Sequence, residues 1–239
     1  MPVADEVVII TGAAGGIGRH LAKRCAAAGA RVAAVDLRPL DTTLAEVREI
    51  EGEIFGVTAD VTNEEQVREM AAKVSAHFGQ IDTLINNAGI ATHFNWMPRW
   101  PAIRDMDASF FNQIMGVNLG GTFLCTKHVI PYMESRRTGH IIGVSGGGGG
   151  TGAAVYLVSK RAIRELMHNV ADEEREYNIC VLSTTPGGAI ATEEAPPDVR
   201  DKMPGVEIAG DRYLAAASAT MEFSGHYVDL VDGRLTIVE

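Results

Sequence analysis

Tyr156 and Lys160 lie four residues apart in the stretch Tyr156-Leu157-Val158-Ser159-Lys160. On a helix this spacing puts both side chains on one face, with Cβ atoms about 5–6 Å apart. An ammonium beside a phenol favours the phenolate, so the pair predicts a tyrosine whose pKa falls below its usual ~10 and which trades protons with a ligand. A Tyr and a Lys so spaced are more often plain surface neighbours, and the chemistry depends on what surrounds them. A second candidate lies near the N-terminus, in Thr11-Gly12-Ala13-Ala14-Gly15-Gly16-Ile17-Gly18. It follows an apolar run and opens a helix-patterned segment. Glycines there allow a tight turn and a close approach of phosphate to the backbone, while unpaired N–H groups at the helix start supply donors and positive dipole. A structural turn accounts for one or two glycines, but four directly after a strand point to a nucleotide.

These groups must be held by a regular scaffold. Short apolar runs alternate with helix-patterned segments along the whole chain, as in repeated βαβ units with a parallel sheet. Strands are predicted at residues 7–10, 31–35, 54–57, 83–85, 140–144, 180–183 and 226–230, each apolar enough to be covered on both faces. Helices are predicted near 16–28, 64–78, 106–134, 154–177 and 211–220. The reading is a single α/β domain, a Rossmann-type doubly wound parallel sheet of about seven strands spanning residues 1–239. The second strand ends at Val35-Asp36, close to the offset of about 20 residues at which an acidic side chain meets the adenosine ribose in such folds. Asp36 would accept from the ribose hydroxyls and repel a 2′-phosphate, favouring NAD over NADP, with Leu37 beside it. Arg38 argues the other way.

Composition narrows the function further. With 46% hydrophobic and 22% charged residues the chain is of soluble globular type. No apolar run is long enough to span a membrane, and the N-terminus does not read as a signal peptide, so a cytoplasmic location and no membrane partner are expected. Net charge −10 disfavours nucleic acid. Cys25, Cys125 and Cys180 show no disulfide or metal spacing and read as buried thiols.

The conjunction of Gly12-x-x-x-Gly16-x-Gly18 with Tyr156-x-x-x-Lys160 resembles the short-chain dehydrogenase/reductase family. Further motifs fall in the family's order: Asp60-Val61, Asn86-Asn87-Ala88-Gly89, Val117-Asn118-Leu119, Pro186-Gly187 and Val231-Asp232-Gly233. The resemblance implies hydride transfer between a nicotinamide cofactor and a secondary alcohol or ketone, with NAD as cofactor. Tyr156 would be the general acid/base and Lys160 its electrostatic partner at the nicotinamide ribose. Asn118 would hold a proton-relay water, and Ser145 would orient the substrate oxygen. Cofactor contacts would come from Gly12, Gly15, Gly16, Ile17, Gly18, Asp36, Leu37, Asp60, Val61, Asn87, Ala88, Gly89, Tyr156, Lys160, Pro186, Gly187 and Thr192. Asp60 also reads as a cap of the following turn, and Asn86-Asn87 as an ordinary polar turn.

The chain departs from the family pattern in several places. Gly146 stands where members commonly carry the second of two small polar residues, the catalytic serine, and the glycine-rich segment to Tyr156 is short. Ser145 is expected to take over that role. One extra residue precedes Thr192, and the substrate lid around residues 188–210 is short. The aromatic-rich loop that carries His93, Phe94, Trp96, Met97 and Trp100 suits a substrate wall, an outer core or a subunit interface equally. His128 and His140 read as structural. A homodimer or homotetramer is expected, packed through residues 106–134 and 154–177. The competing reading is a nucleotide-binding regulatory or scaffold protein of the same fold with weak or no catalysis.

Overall fold

The computed structural model describes residues 3–90, 101–146, 153–193, 195 and 197–238. The aromatic-rich segment at 91–100 and the glycines at 147–150 lie outside them. Eight strands form one sheet: β1 (Val7–Thr11), β2 (Arg31–Asp36), β3 (Ile54–Thr58), β4 (Thr83–Asn86), β5 (Gly139–Val144), β6 (Ile179–Thr184), β7 (Tyr227–Val231) and β8 (Arg234–Ile237). Their order is β3-β2-β1-β4-β5-β6-β7-β8. β1 pairs in parallel with both β2 and β4, so Ile9 lies opposite Ala33 on one side and Leu84 on the other. The chain leaves β1 in one direction and later resumes on its other flank. That reversal opens a crevice at the carboxyl ends of β1 and β4, where open α/β sheets bind ligands.

Alternation along β1 decides the two cores. Val8 and Ile10 face one layer, which holds Leu21 and Cys25 of α1 (Gly16–Ala27) and Tyr213 and Leu214 of α8 (Val206–Ala217). Val7 and Ile9 face the other, with α3 (Glu64–Phe78), α5 (Gly121–Glu134) and α6 (Ala154–Glu174). Successive strand residues point to opposite faces, so a fully apolar strand is what two covered faces require. α3 shows how the helices are bounded: Asn63 Oδ1 accepts from Gln66 N at 3.1 Å, and Gly79 ends the helix at φ +81°. The three cysteines are buried free thiols, and burial pushes each up to about 12.

Seven of the strands and the single α/β domain match the sequence expectation, and three features lay outside it. β8 is a short, largely exposed strand antiparallel to β7, joined by Asp232 and Gly233 at φ +48° and +74°. Two positive φ values in a two-residue Asp-Gly turn make a tight hairpin. α2 (Asp41–Arg48) is short and polar, with only Thr43 and Val47 buried. The long helix predicted from 106 begins instead at Ala108. It passes from α4 (Ala108–Met115) through a π-helical turn, Gly116–Gly120, into α5. The remaining helix, α7 (Pro197–Arg200), is a single turn.

Candidate active site

The glycine turn between β1 and α1 is built from positions where a side chain would not fit. Gly12 has φ +70°, and a Cβ there would lie 2.9 Å from Ala88 Cα. A Cβ on Gly18 would meet the Gly12 carbonyl oxygen at 2.0 Å, so α1 can only approach the turn this closely with glycine. Asn87 Nδ2 donates to Thr11 O at 2.9 Å, and Ala88 N donates to Thr11 Oγ1 at 3.0 Å. The Asn87-Ala88-Gly89 segment is thereby locked against the glycine turn. From the other side, Thr43 Oγ1 donates to Ala13 O at 2.7 Å, a role for α2 that the sequence did not announce.

Asp36 ends β2 with 8% exposure. Its Oδ2 accepts from Ala14 N and its Oδ1 from Arg38 N, each at 2.9 Å. The carboxylate thus shapes the turn and faces the crevice edge, beside exposed Leu37. Asp60 Oδ1 accepts from both Thr62 N and Thr62 Oγ1, the turn-capping alternative. Val61 packs where a Cβ on Gly121 would meet its Cγ2 at 2.7 Å.

α1 begins with Gly15 as its cap, which carries no side chain to satisfy the first N–H groups. Glu193 supplies the acceptor: its Oε1 is 2.9 Å from Gly16 N and 2.9 Å from Arg19 Nη2. Burial pushes this carboxyl up, but the Gly16 N–H, its own backbone N–H, Arg19 and Arg38 together hold it below the usual carboxylate range. An in-chain anion at this point demonstrates that the turn fits negative charge, which is the requirement for a dinucleotide pyrophosphate. Thr192 rests beside it, its Cγ2 3.3 Å from where a Gly16 Cβ would be. Pro186 and Gly187 follow β6, with Gly187 at φ +90° and no room for a Cβ against Arg212.

Tyr156 and Lys160 both lie on α6, as the spacing required. Lys160 is 5% exposed and its Nζ donates to Val144 O at 2.9 Å. The same Nζ is 6.0 Å from the Tyr156 ring centroid. Asn118, wholly buried in the π-helical turn, donates through Nδ2 to Ser159 Oγ at 3.0 Å, and Ser159 Oγ donates to Tyr156 O at 2.7 Å. Asn118 Oδ1 accepts from Ile90 N at 2.7 Å. A Cβ on Gly89 would stand 3.2 Å from both Asn118 Oδ1 and Lys160 Nζ, so glycine there keeps amide and ammonium close to the β4 turn. Widened turns of this kind often mark functional sites in helices. Ser159, which ties the two helices together, was not singled out from the sequence.

Two expectations change here. Burial raises the Tyr156 pKa and brings Lys160 from 10.5 down to about 8. In this buried setting desolvation outweighs the pairing that the i, i+4 spacing predicted for the phenol. Ser145 is also turned away from the place expected of it. Its hydroxyl donates to Lys160 O at 2.8 Å and accepts from Arg164 Nε at 3.0 Å, so its one proton is spent on the helix backbone. Adjacent residues of an extended chain point to opposite sides, and among the described residues of this segment the one directed at the phenol is Gly146, where a Cβ would lie 3.7 Å from Tyr156 Oη. His140 bonds Ala219 O and His128 pairs with Glu64, both away from these groups.

Comparison with known proteins addresses the family and the fold. A short-chain dehydrogenase model matches residues 6–201. The chain is 33% identical to the 3-oxoacyl-[acyl-carrier-protein] reductase FabG of Thermotoga maritima over 208 residues, 84% of this chain and 82% of that one. Identity to the L-fucose dehydrogenase of Bos taurus is also 33%, over 187 residues that span 77% of this chain and 66% of the bovine enzyme. Among solved structures, a short-chain dehydrogenase/reductase from Burkholderia xenovorans superposes with a TM-score of 0.85 at 26% identity, covering 97% of this chain and 96% of that one. Levodione reductase superposes at 0.83 and 26%, covering 97% of each. With motif order, sheet order and these matches in agreement, the chain belongs to the short-chain dehydrogenase/reductase family.

Proposed function

We propose that this protein is an NAD-dependent oxidoreductase that interconverts a secondary alcohol and a ketone. The observation that carries the reading is the linked set Asn118, Ser159, Tyr156 and Lys160, gathered beside a phosphate turn at the sheet's reversal point. The nicotinamide cofactor, when bound, supplies the hydride donor or acceptor and a positive ring charge. The protein positions the reactants and handles the proton. Tyr156 Oη gives its proton to a carbonyl oxygen in reduction and takes one from an alcohol in oxidation. A buried, raised tyrosine suits the acid direction as it stands. For the base direction the phenolate must be stabilised by Lys160 together with the cofactor's charge; moving a phenol from ~10 to ~7 takes roughly 4 kcal/mol. Lys160 would also bind the nicotinamide ribose, with Asn118 steadying the approach.

The turn residues Gly12, Gly15, Gly16, Ile17 and Gly18 would hold the pyrophosphate. Asp36 would take the adenosine ribose, flanked by Leu37, and Asp60, Val61 and Asn87 to Gly89 would line the cleft. Pro186, Gly187 and Thr192 would bound its nicotinamide side. A 2′-phosphate would face the Asp36 carboxylate, which supports NAD over NADP in spite of Arg38. Residues 188–210 serve as a short lid. Phe123 of α5 and Val158 of α6, 47% and 55% exposed, support a homo-oligomer packed through those helices.

Gly146 favours a second reading, a nucleotide-binding regulatory or scaffold protein with weak or no catalysis, because this position facing Tyr156 carries no hydroxyl. Tyr156→Phe separates the two. Following NADH across a panel of cyclic, sugar and acyl ketones, the wild type turns over at least one substrate and the variant none, while both bind NADH. Full activity in the variant rules out the proposed proton donor; binding with no turnover by the wild type favours the second reading.

A further inference from the structure

The groups that would receive a pyrophosphate are already engaged by the protein itself. Gly16 N–H, the first donor of the twelve-residue α1, points at Glu193 Oε1 from 177 residues away in the chain. The same oxygen pairs with Arg19 Nη2 at 2.9 Å, and a Cβ on Gly15 would lie only 2.8 Å from it. Glu193 therefore sits over the glycine turn, within contact of its backbone.

The segment bearing Glu193 is held in place. Arg200 Nη2 donates to Glu193 O at 2.9 Å and to Ala195 O at 2.8 Å, while its Nε donates to Ala195 O. Ala191 N donates to Pro204 O, and Ala195 N to Thr192 O. These bonds make a strap that crosses the mouth of the turn and anchors at both ends. One N–H has one proton, and two anions cannot share both it and the same guanidinium edge without strong repulsion.

We infer that Glu193 is an internal competitor for the cofactor's pyrophosphate: the strap closes the turn with its own carboxylate and must lift it away before a dinucleotide can seat. This rests on the proposed dinucleotide site. Displacement of Glu193 releases the Arg19 Nη2 edge at the same moment, leaving Arg19 its looser 3.7 Å pairing with Glu46, so the incoming phosphates gain a donor that the strap had occupied. Exchange of one anion for another leaves the helix start satisfied in both states. Only the fraction of molecules with the strap raised is competent to bind, and the apparent affinity falls by that fraction.

The experiment measures NADH binding by fluorescence and inorganic pyrophosphate binding by calorimetry for wild type, Glu193→Gln and Glu193→Ala. A helix-terminus contact and a half-exposed ion pair together correspond to about a fivefold effect. Both variants are expected to bind NADH and pyrophosphate about fivefold more tightly than wild type. Hydrogen exchange across residues 191–193 should rise when NADH is added to wild type, and be high already in Glu193→Ala. Equal or weaker NADH binding by both variants overturns the inference, since Glu193 would then be a bystander or a cofactor ligand. Absence of NADH binding by the wild type and both variants instead defeats the proposed site itself.

Discussion

Lys160→Met isolates the energetic cost of the buried ammonium proposed for catalysis. Lys160 is 5% exposed, and burial alone brings its pKa from 10.5 to about 8. A lysine whose folded pKa lies below its unfolded one destabilises the fold at every pH below the unfolded value, and that cost lessens only where the unfolded chain holds more protons. The full cost, about 3 kcal/mol, applies at pH 7 and diminishes as pH rises from about 8 toward 10.5, to about 1 kcal/mol at pH 9.5. Methionine keeps a flexible unbranched stem and has no charge to desolvate, but leaves Val144 O without the 2.9 Å Nζ donor, at a cost of about 1–2 kcal/mol. Urea unfolding of the cofactor-free protein should therefore find the variant about 1–2 kcal/mol more stable than wild type at pH 7. Between pH 7 and 9.5 that advantage should shrink by about 2 kcal/mol, while turnover is lost at every pH. A stability difference that does not change with pH, or that grows as pH rises, refutes the claim that Lys160 is held in the fold against its own solvation.

Two further changes probe the same architecture. Gly146→Ser adds a hydroxyl where a Cβ would lie 3.7 Å from Tyr156 Oη and 3.8 Å from Lys160 Cγ, ordinary contact distances. If a substrate oxygen sits at Tyr156, kcat/KM should rise roughly tenfold or more, as expected for one hydrogen bond of ~1.5–3 kcal/mol, and a folded variant with unchanged kcat/KM counts against that placement. Glu174, 6% exposed with Oε2 unpartnered among the described residues, is pushed up to about 7 by burial and then by Glu134, Glu173 and Glu176. An acid with a raised folded pKa loses stability as pH climbs from about 4.5 through 7. Glu174→Gln should accordingly gain about 1–2 kcal/mol at pH 8 and almost nothing at pH 4.5, by thermal unfolding in matched buffers; an equal gain at both pH values would contradict the assigned strain.

The glycine turn was legible because its demands are local: Gly12 and Gly16 have φ of +70° and +52°, and such backbone excludes most other residues. The central strands were legible because they are buried along their whole length, as β1 and β6 show. β8 and α2 were harder to find, being short and largely solvated, with too few buried residues to set a period. The π-helical turn at Asn118 was hidden for another reason. It depends on the bonds Asn118 makes to Ile90 and Ser159, in separate parts of the chain.

The sequence by itself determined that Tyr156 and Lys160 share a helix and that a glycine turn between β1 and α1 precedes them, because spacing within one helix or one turn is settled by backbone geometry alone. Tertiary structure decided the rest of the site. It chose which side of the β5 extension meets α6, turning Ser145 to the helix backbone and Gly146 to the phenol. It also decided the direction of the Tyr156 pKa, since desolvation is the work of everything packed around a group. And it brought Glu193 from beyond β6 onto the first N–H of α1, a contact no local pattern could announce because the partners meet only after the sheet has formed.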